Sequence, residues 1–285
     1  MKRIVCSIVA IVMALSMTAC SAKPNAETSQ TDSAESAVSE EASEESVESE
    51  SEASSAESVE LMVSAAASLT DCMNEIKDLY EAENEGVQVT YNFASSGALQ
   101  QQIEQGAPAD VFFSAGKKQM KALSDAELMD DETVKEILEN KMVLIIPKDG
   151  TKFESFEDLA NASQIGVGEP ETVPVGQYAA EILENLNLVD TLKEKLVFAK
   201  DVREVLSWVE TSNVDAGIVY ETDAKISDKV EISCTAPEGS HKPVIYPVGV
   251  TKDSQQADAA KAFVDFLFGE EAKAVFEKYG FSPLA

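Results

Sequence analysis

From residue 59 onward the chain alternates between two hydrophobic periods, and this alternation constrains its fold more than any other feature. Short apolar runs of strand character occur at "ELMVSAA" (60–66), "VQVTYNF" (87–93), "DVFFSA" (110–115), "KMVLIIP" (141–147), "QIGVG" (164–168), "KLVFA" (195–199), "DAGIVY" (215–220) and "PVIYPVGV" (243–250). Between them, helical periodicity fills 68–82, 97–105, 119–128, 133–140, 175–186 and 202–210, with an unbroken helical run over 258–280. Strand–helix alternation of this kind implies an α/β fold with parallel sheets covered by helices. About 225 residues is large for one such sheet and comfortable for two lobes.

The first 58 residues do not belong to that pattern. "MKRIVCSIVAIVMALSMTAC" opens with two basic residues, continues through an apolar stretch from Ile4 to Met17 and ends on Cys20. It is too short for a lasting membrane span and reads as an export signal. The "MTAC" ending resembles a bacterial lipoprotein signal, with 1–19 removed and Cys20 lipidated. Residues 20–58 follow as a tether. From 21 on they hold eleven acids, one Lys and no aromatic residue, so they cannot bury enough apolar surface to offset their ordering entropy. As a coil the segment spans roughly 35 Å.

The chain carries 22 Lys and Arg against 52 Asp and Glu, a formal charge of −30. Subtracting the leader's +2 and the tether's −10 leaves −22 for residues 59–285. A surface this acidic argues against nucleic acid and against anionic lipid as partners. It leaves room for a small anion if neutral donors line the site. With Cys6 lost and Cys20 lipidated, Cys72 and Cys234 remain, read as buried free thiols rather than a disulfide framework.

Four strand-to-helix turns are rich in small residues and donors. In "AAASLTD", Ser68 stands where an N-cap belongs, with Asp71 completing a capping-box pattern. In "FASSGALQQQ", Ser95 and Ser96 precede Gly97, and in "GEPETVPVGQYA" Pro174 and Gly176 open a helix. The fourth helix starts at Asp201 or Val202 in "AKDVREVL". A serine at one such turn is ordinarily only a cap. Several together, at the carboxyl ends of strands, form a ready anion site, because helix starts expose unpaired N–H groups and a positive dipole end. The alanines of "AAAS" then let backbone approach a ligand.

Enzyme signatures are missing: there is no G-x-S-x-G, no H-E-x-x-H and no Walker loop, and "GVGEPE" breaks the dinucleotide fingerprint. The single histidine, His241, lies in a Pro/Gly-flanked segment and reads as a surface residue. Trp208 reads as core, and Arg203 as a solvated or salt-bridged residue near a helix start.

"AAASLTDCMNEI", "FASSGALQQQIEQGAPADVFFSAG", "VGEPETVPVGQYA", "DVREVL", "DAGIVYETDA", "SHKPVIYPVGV" and "FEKYGF" resemble, in order, the periplasmic molybdate-binding proteins of bacterial ABC uptake systems. The resemblance implies a two-lobed periplasmic-binding-protein-like fold of type II, with two interlobe crossings and the ligand in the cleft. Lobe I would comprise 59–140 plus 247–285, and lobe II 141–246. It also implies the ligand set: the hydroxyls and amides of Ser68 and Ser96, the amides of Val175 and Val202, and the hydroxyl of Tyr220. Molybdenum is then held only as the oxyanion, with no cofactor and no direct metal ligand. Val175 stands where the family commonly has Ala, and Gly97 where it often has Ser.

Seven neutral donors facing a dianion offer no acceptor for the proton that phosphate keeps near neutral pH, so phosphate is rejected. Sulfate must be excluded by cavity size, and tungstate binds like molybdate. The implied protein is a monomeric, lipid-anchored binding protein at the outer face of the cytoplasmic membrane that captures molybdate or tungstate for a permease. The alternatives are a sulfate- or tungstate-preferring relative and an oxyanion sensor.

Overall fold

A computed structural model of the protein describes residues 58–284. The expected leader, Cys20 and nearly all of the expected tether lie outside the described residues. The first sheet begins with β1 (Val59–Ala66), α1 (Thr70–Glu83), β2 (Val87–Ala94), α2 (Ser96–Glu104), β3 (Val111–Phe113), α3 (Lys117–Asp125) and β4 (Lys135–Asn140). The chain then builds a second sheet from β5 (Met142–Pro147), β6 (Ile165–Gly168), α4 (Pro174–Asn185), α5 (Val189–Leu192), β7 (Leu196–Ala199), α6 (Val202–Glu210), β8 (Ala216–Tyr220), α7 (Glu221–Lys225) and β9 (Val230–Thr235). It returns to the first through β10 (Val244–Val250), α8 (Ala257–Leu267), α9 (Glu270–Lys278) and β11 (Ser282–Pro283).

The strand orders are β11-β4-β10-β3-β1-β2 and β7-β6-β8-β5-β9. β1 runs parallel to β2 and β3, and β6 parallel to β7 and β8, while β10 and β5 run antiparallel to their neighbours. This is a two-lobed mixed α/β fold. The chain passes between the sheets twice, at β4–β5 and at β9–β10. The boundary expected between 246 and 247 falls inside β10, whose residues from Val244 on already pair with β4.

Strands covered on both faces read as continuous apolar runs whatever their direction, which is why β3, β6, β8 and the antiparallel β5 stand out in the sequence. α1 buries Met73, Ile76 and Tyr80 on one face. Tyr80 meets Phe263 and Phe266 of α8 edge-on at 4.9 and 5.1 Å, tying the first helix to the C-terminal pair.

Three local expectations differ. Residues 133–140 read as helix, yet Lys135–Asn140 is β4. Val134, Ile137 and Leu138 have helical spacing, but Ile137 and Leu138 are buried in a strand between β10 and β11, where tertiary pairing overrides a short local pattern. The run over 258–280 divides at Gly269, with Glu270 and Glu271 opening α9 and complementing its dipole. The capping box at Ser68 does not form. Ala67–Leu69 is a single 3₁₀ turn and α1 starts at Thr70 without a side-chain cap, so the Ser68 hydroxyl is free for another task. Cys72 and Cys234 are both free thiols, the first buried and the second half-buried.

Candidate functional site

The ends of β1, β2 and β8 and the starts of α2, α4 and α6 converge between the lobes on a small cavity. Its walls include Ser68, Ser95 and Ser96 from the first lobe and Val175, Asp201, Val202 and Tyr220 from the second. All five expected ligand residues are therefore brought together, and all five are buried. The cavity measures about 10 Å³, roughly the space for one water-sized centre. That suits a compact group and excludes an extended organic ligand, whose pockets run to several hundred Å³.

Each side chain reaches the wall for a local reason. Ser95 is the N-cap of α2, accepting from the Ala98 amide, which leaves Ser96 at the first helical position with its own amide unclaimed by the helix. Its Oγ accepts from the Ala115 amide at 2.9 Å. Pro174 opens α4, where its missing N–H costs nothing, and Val175 follows with a first-turn amide. Asp201 caps α6 by accepting from the Glu204 amide at 2.9 Å, so one carboxylate oxygen is committed and the Val202 amide is left at the helix start. Tyr220 ends β8 with a buried hydroxyl that has no hydrogen-bond partner among the described residues. Burial pushes its pKa far up, so the group remains a donor.

Ser68 Oγ lies 3.0 Å from the Tyr246 hydroxyl. The first-lobe turn is also held from across the cleft. Arg203 Nη2 donates to the Ser68 carbonyl at 3.3 Å and approaches Asp71 Oδ2 to 2.7 Å, while Nε sits 2.9 Å from Asp223 Oδ1. Arg203, expected to be solvated or salt-bridged, is salt-bridged, and it joins α6 and α7 to the start of α1. Among the described residues neither Asp223 oxygen makes a well-formed hydrogen bond; the ion pair is close but poorly aligned. Burial raises the Asp223 pKa to about 6, with Arg203 offsetting part of the effect.

A second interlobe contact is backbone to backbone. The Gly97 amide donates to the Thr172 carbonyl at 3.0 Å, and a Cβ at Gly97 would overlap that carbonyl. Glycine here is what lets α2 approach the second lobe.

Other cavities are larger but differently made. One of about 750 Å³ lies among α4, α5 and β7, lined by apolar residues such as Leu183, Leu196 and Phe198. It draws on one lobe and contains none of the converging donors. His241 sits outside the site, its ring edge-on to Tyr178 at 6.0 Å, and Trp208 packs against the core half-buried. Among the described residues, no group of three or more His, Cys, Asp or Glu could hold a metal ion. The sequence patterns found the donor turns. They missed Tyr246, Asn140 and the reach of Arg203, whose partners lie more than a hundred residues away in the chain.

Comparison with known proteins gives a consistent picture. Residues 61–282 match the family of bacterial extracellular solute-binding proteins. The chain is 47% identical over 225 residues to the "Putative ABC transporter substrate-binding lipoprotein YvgL" of Bacillus subtilis strain 168, covering 79% of this chain and 86% of that protein. It is 43% identical over 230 residues to the molybdate-binding protein ModA of Haemophilus influenzae, covering 78% and 90%. A solved structure described as the "substrate binding domain of putative molybdenum ABC transporter from Clostridium difficile" superposes with a TM-score of 0.63 at 47% identity, covering 80% of this chain and all of that one.

Proposed function

Because this chain belongs to the bacterial extracellular solute-binding protein family, we propose that it captures molybdate, and tungstate with it, outside the cytoplasm and delivers the anion to an ABC permease. Ser68 and Ser96 donate from the first lobe, and the Val175 and Val202 amides and the Tyr220 hydroxyl from the second. The lobes, 59–140 with the C-terminal segment and 141 up to the second crossing, close on the anion. Cys20 carries a lipid that anchors the protein at the outer face of the cytoplasmic membrane, the acidic segment holds the lobes away from that surface, and the protein works as a monomer without catalytic residues.

The observation that carries this reading is the Tyr220 hydroxyl. A buried hydroxyl without a partner costs about 1–3 kcal/mol, and this one forms part of the wall of a cavity that also presents serine hydroxyls, first-turn amides and the Asp201 carboxylate, one oxygen of which is spent capping α6. An acceptor-only oxyanion completes such a set. Each charge-assisted hydrogen bond contributes about 1.5–3 kcal/mol, and three helix starts add their dipoles, so no cationic side chain is required.

Calorimetric titration of the ligand-free protein with molybdate, tungstate, sulfate and phosphate at neutral pH tests the proposal. Submicromolar binding of the first two, with the others weak, is the expected result. Tight sulfate binding would overturn the specificity, and silence toward all four would overturn the function.

A further inference from the structure

A serine hydroxyl can donate or accept, so a pocket lined by serines is not a donor pocket until something fixes the direction. For Ser96 the Ala115 amide does this. An N–H can only donate, so Ser96 Oγ accepts at 2.9 Å and its own proton is left for another acceptor. For Ser68 the partner is the Tyr246 hydroxyl at 3.0 Å, and on distance alone either oxygen could be the donor.

The next link removes that ambiguity. Asn140 Oδ1 accepts from the Lys141 amide at 2.8 Å, which fixes the orientation of the side-chain amide. Asn140 Nδ2 therefore faces Thr222 Oγ1 at 2.9 Å and the Tyr246 hydroxyl at 3.3 Å. Tyr246 is fully buried and already accepts from Asn140, and burial keeps its phenol protonated. Its proton needs an acceptor, and Ser68 Oγ offers one at 3.0 Å.

We propose that Tyr246, oriented by Asn140, is a positioning residue that donates to Ser68 Oγ and so commits the Ser68 proton to the bound oxyanion. The inference rests on the molybdate reading of the cavity and deepens it. Both serine protons are then directed to the ligand, because a donor behind each oxygen occupies one of its two lone pairs and orients the hydroxyl. Hydrogen phosphate brings a proton that needs an acceptor and meets two hydroxyls already turned to donate. Discrimination against it is set partly by Tyr246 and Asn140, which lie outside the cavity wall. The relay also spans the hinge: Asn140 ends β4 at one crossing, Tyr246 follows the other, and Thr222 belongs to the second lobe.

The test is a double-mutant cycle on the whole protein, with molybdate titrated directly and phosphate by competition. Tyr246→Phe is expected to weaken molybdate about tenfold. It also narrows the molybdate-to-phosphate ratio, since the Ser68 hydroxyl is no longer oriented as a donor and can turn to accept. In a Ser68→Ala background the same change is expected to cost less than twofold. Thermal unfolding of the ligand-free variants comes first. Should Tyr246→Phe not fold, Asn140→Ala replaces it in the cycle, with the same direction expected.

Unchanged molybdate affinity and selectivity in Tyr246→Phe would overturn the proposal. So would an equal loss with and without the Ser68 hydroxyl, which is what packing alone would give. A wild-type protein that does not bind molybdate would remove the site reading and the relay together, an outcome distinct from both.

Discussion

Tyr220 carries the plainest consequence at the scale of single residues. Its hydroxyl makes no well-formed hydrogen bond among the described residues, so Tyr220→Phe is expected to lower molybdate affinity about tenfold while leaving the melting temperature of the ligand-free protein unchanged or slightly raised. Loss of folding in that variant would assign the hydroxyl to the core instead. Asp223 makes a second prediction, with an unusual sign. Its pKa is raised to about 6, chiefly by burial, with Asp71 and Asp201 adding to the effect and Arg203 opposing it. The folded protein therefore takes up this proton before the unfolded chain does. Stability from this group is present at low pH and is lost as pH rises through about 6. Thermal unfolding at pH 5 and pH 7 checks this: the wild type is expected to gain more, or lose less, on acidification than Asp223→Asn. Identical shifts in the two proteins would contradict it.

Elements decide how closely the lobes meet. The start of α2 rests on the Thr172 carbonyl, with no room for a Cβ at Gly97. Gly97→Ala is expected to leave the ligand-free melting temperature near the wild-type value if, as proposed, the lobes close only on the anion. It should weaken molybdate more than tenfold and abolish the ligand-induced compaction seen by small-angle scattering. The sequence made the strands buried on both faces and the helices with wide apolar stripes legible. It failed at β4, where Ile137 and Leu138 adjoin between glutamates and mimic a helix turn, and at β9, an edge strand whose Ile232 is exposed. The donor turns were legible because small residues at strand ends are a local signal. The Asn140–Tyr246–Ser68 chain was not, since it joins residues 106 and 178 positions apart, and nothing local to any of the three marks it.

For the whole molecule, charge and site pull in opposite directions. Residues 59–285 carry a formal −22, yet the cavity takes an anion. Attraction is short-ranged, from helix starts and hydroxyls, whereas repulsion is long-ranged and screened over about 10 Å at 0.1 M salt. The association rate for molybdate is accordingly expected to rise as salt is raised from low to physiological strength, measured by stopped-flow mixing. A falling rate would mean that a positive local field dominates the approach. Arg203 also joins the lobes, reaching Asp71 and the Ser68 carbonyl from α6, so the ligand turn is held by an interlobe contact.

The most direct test of the central claim is a crystal structure grown with molybdate and phased on the anomalous scattering of molybdenum. One strong peak is expected in the interlobe cavity, with ligand oxygens about 2.7–3.1 Å from the Ser68, Ser96 and Tyr220 hydroxyls and the Val175 and Val202 amides. A peak elsewhere, or density in the cavity for a ligand with a different atom at its centre, would contradict it.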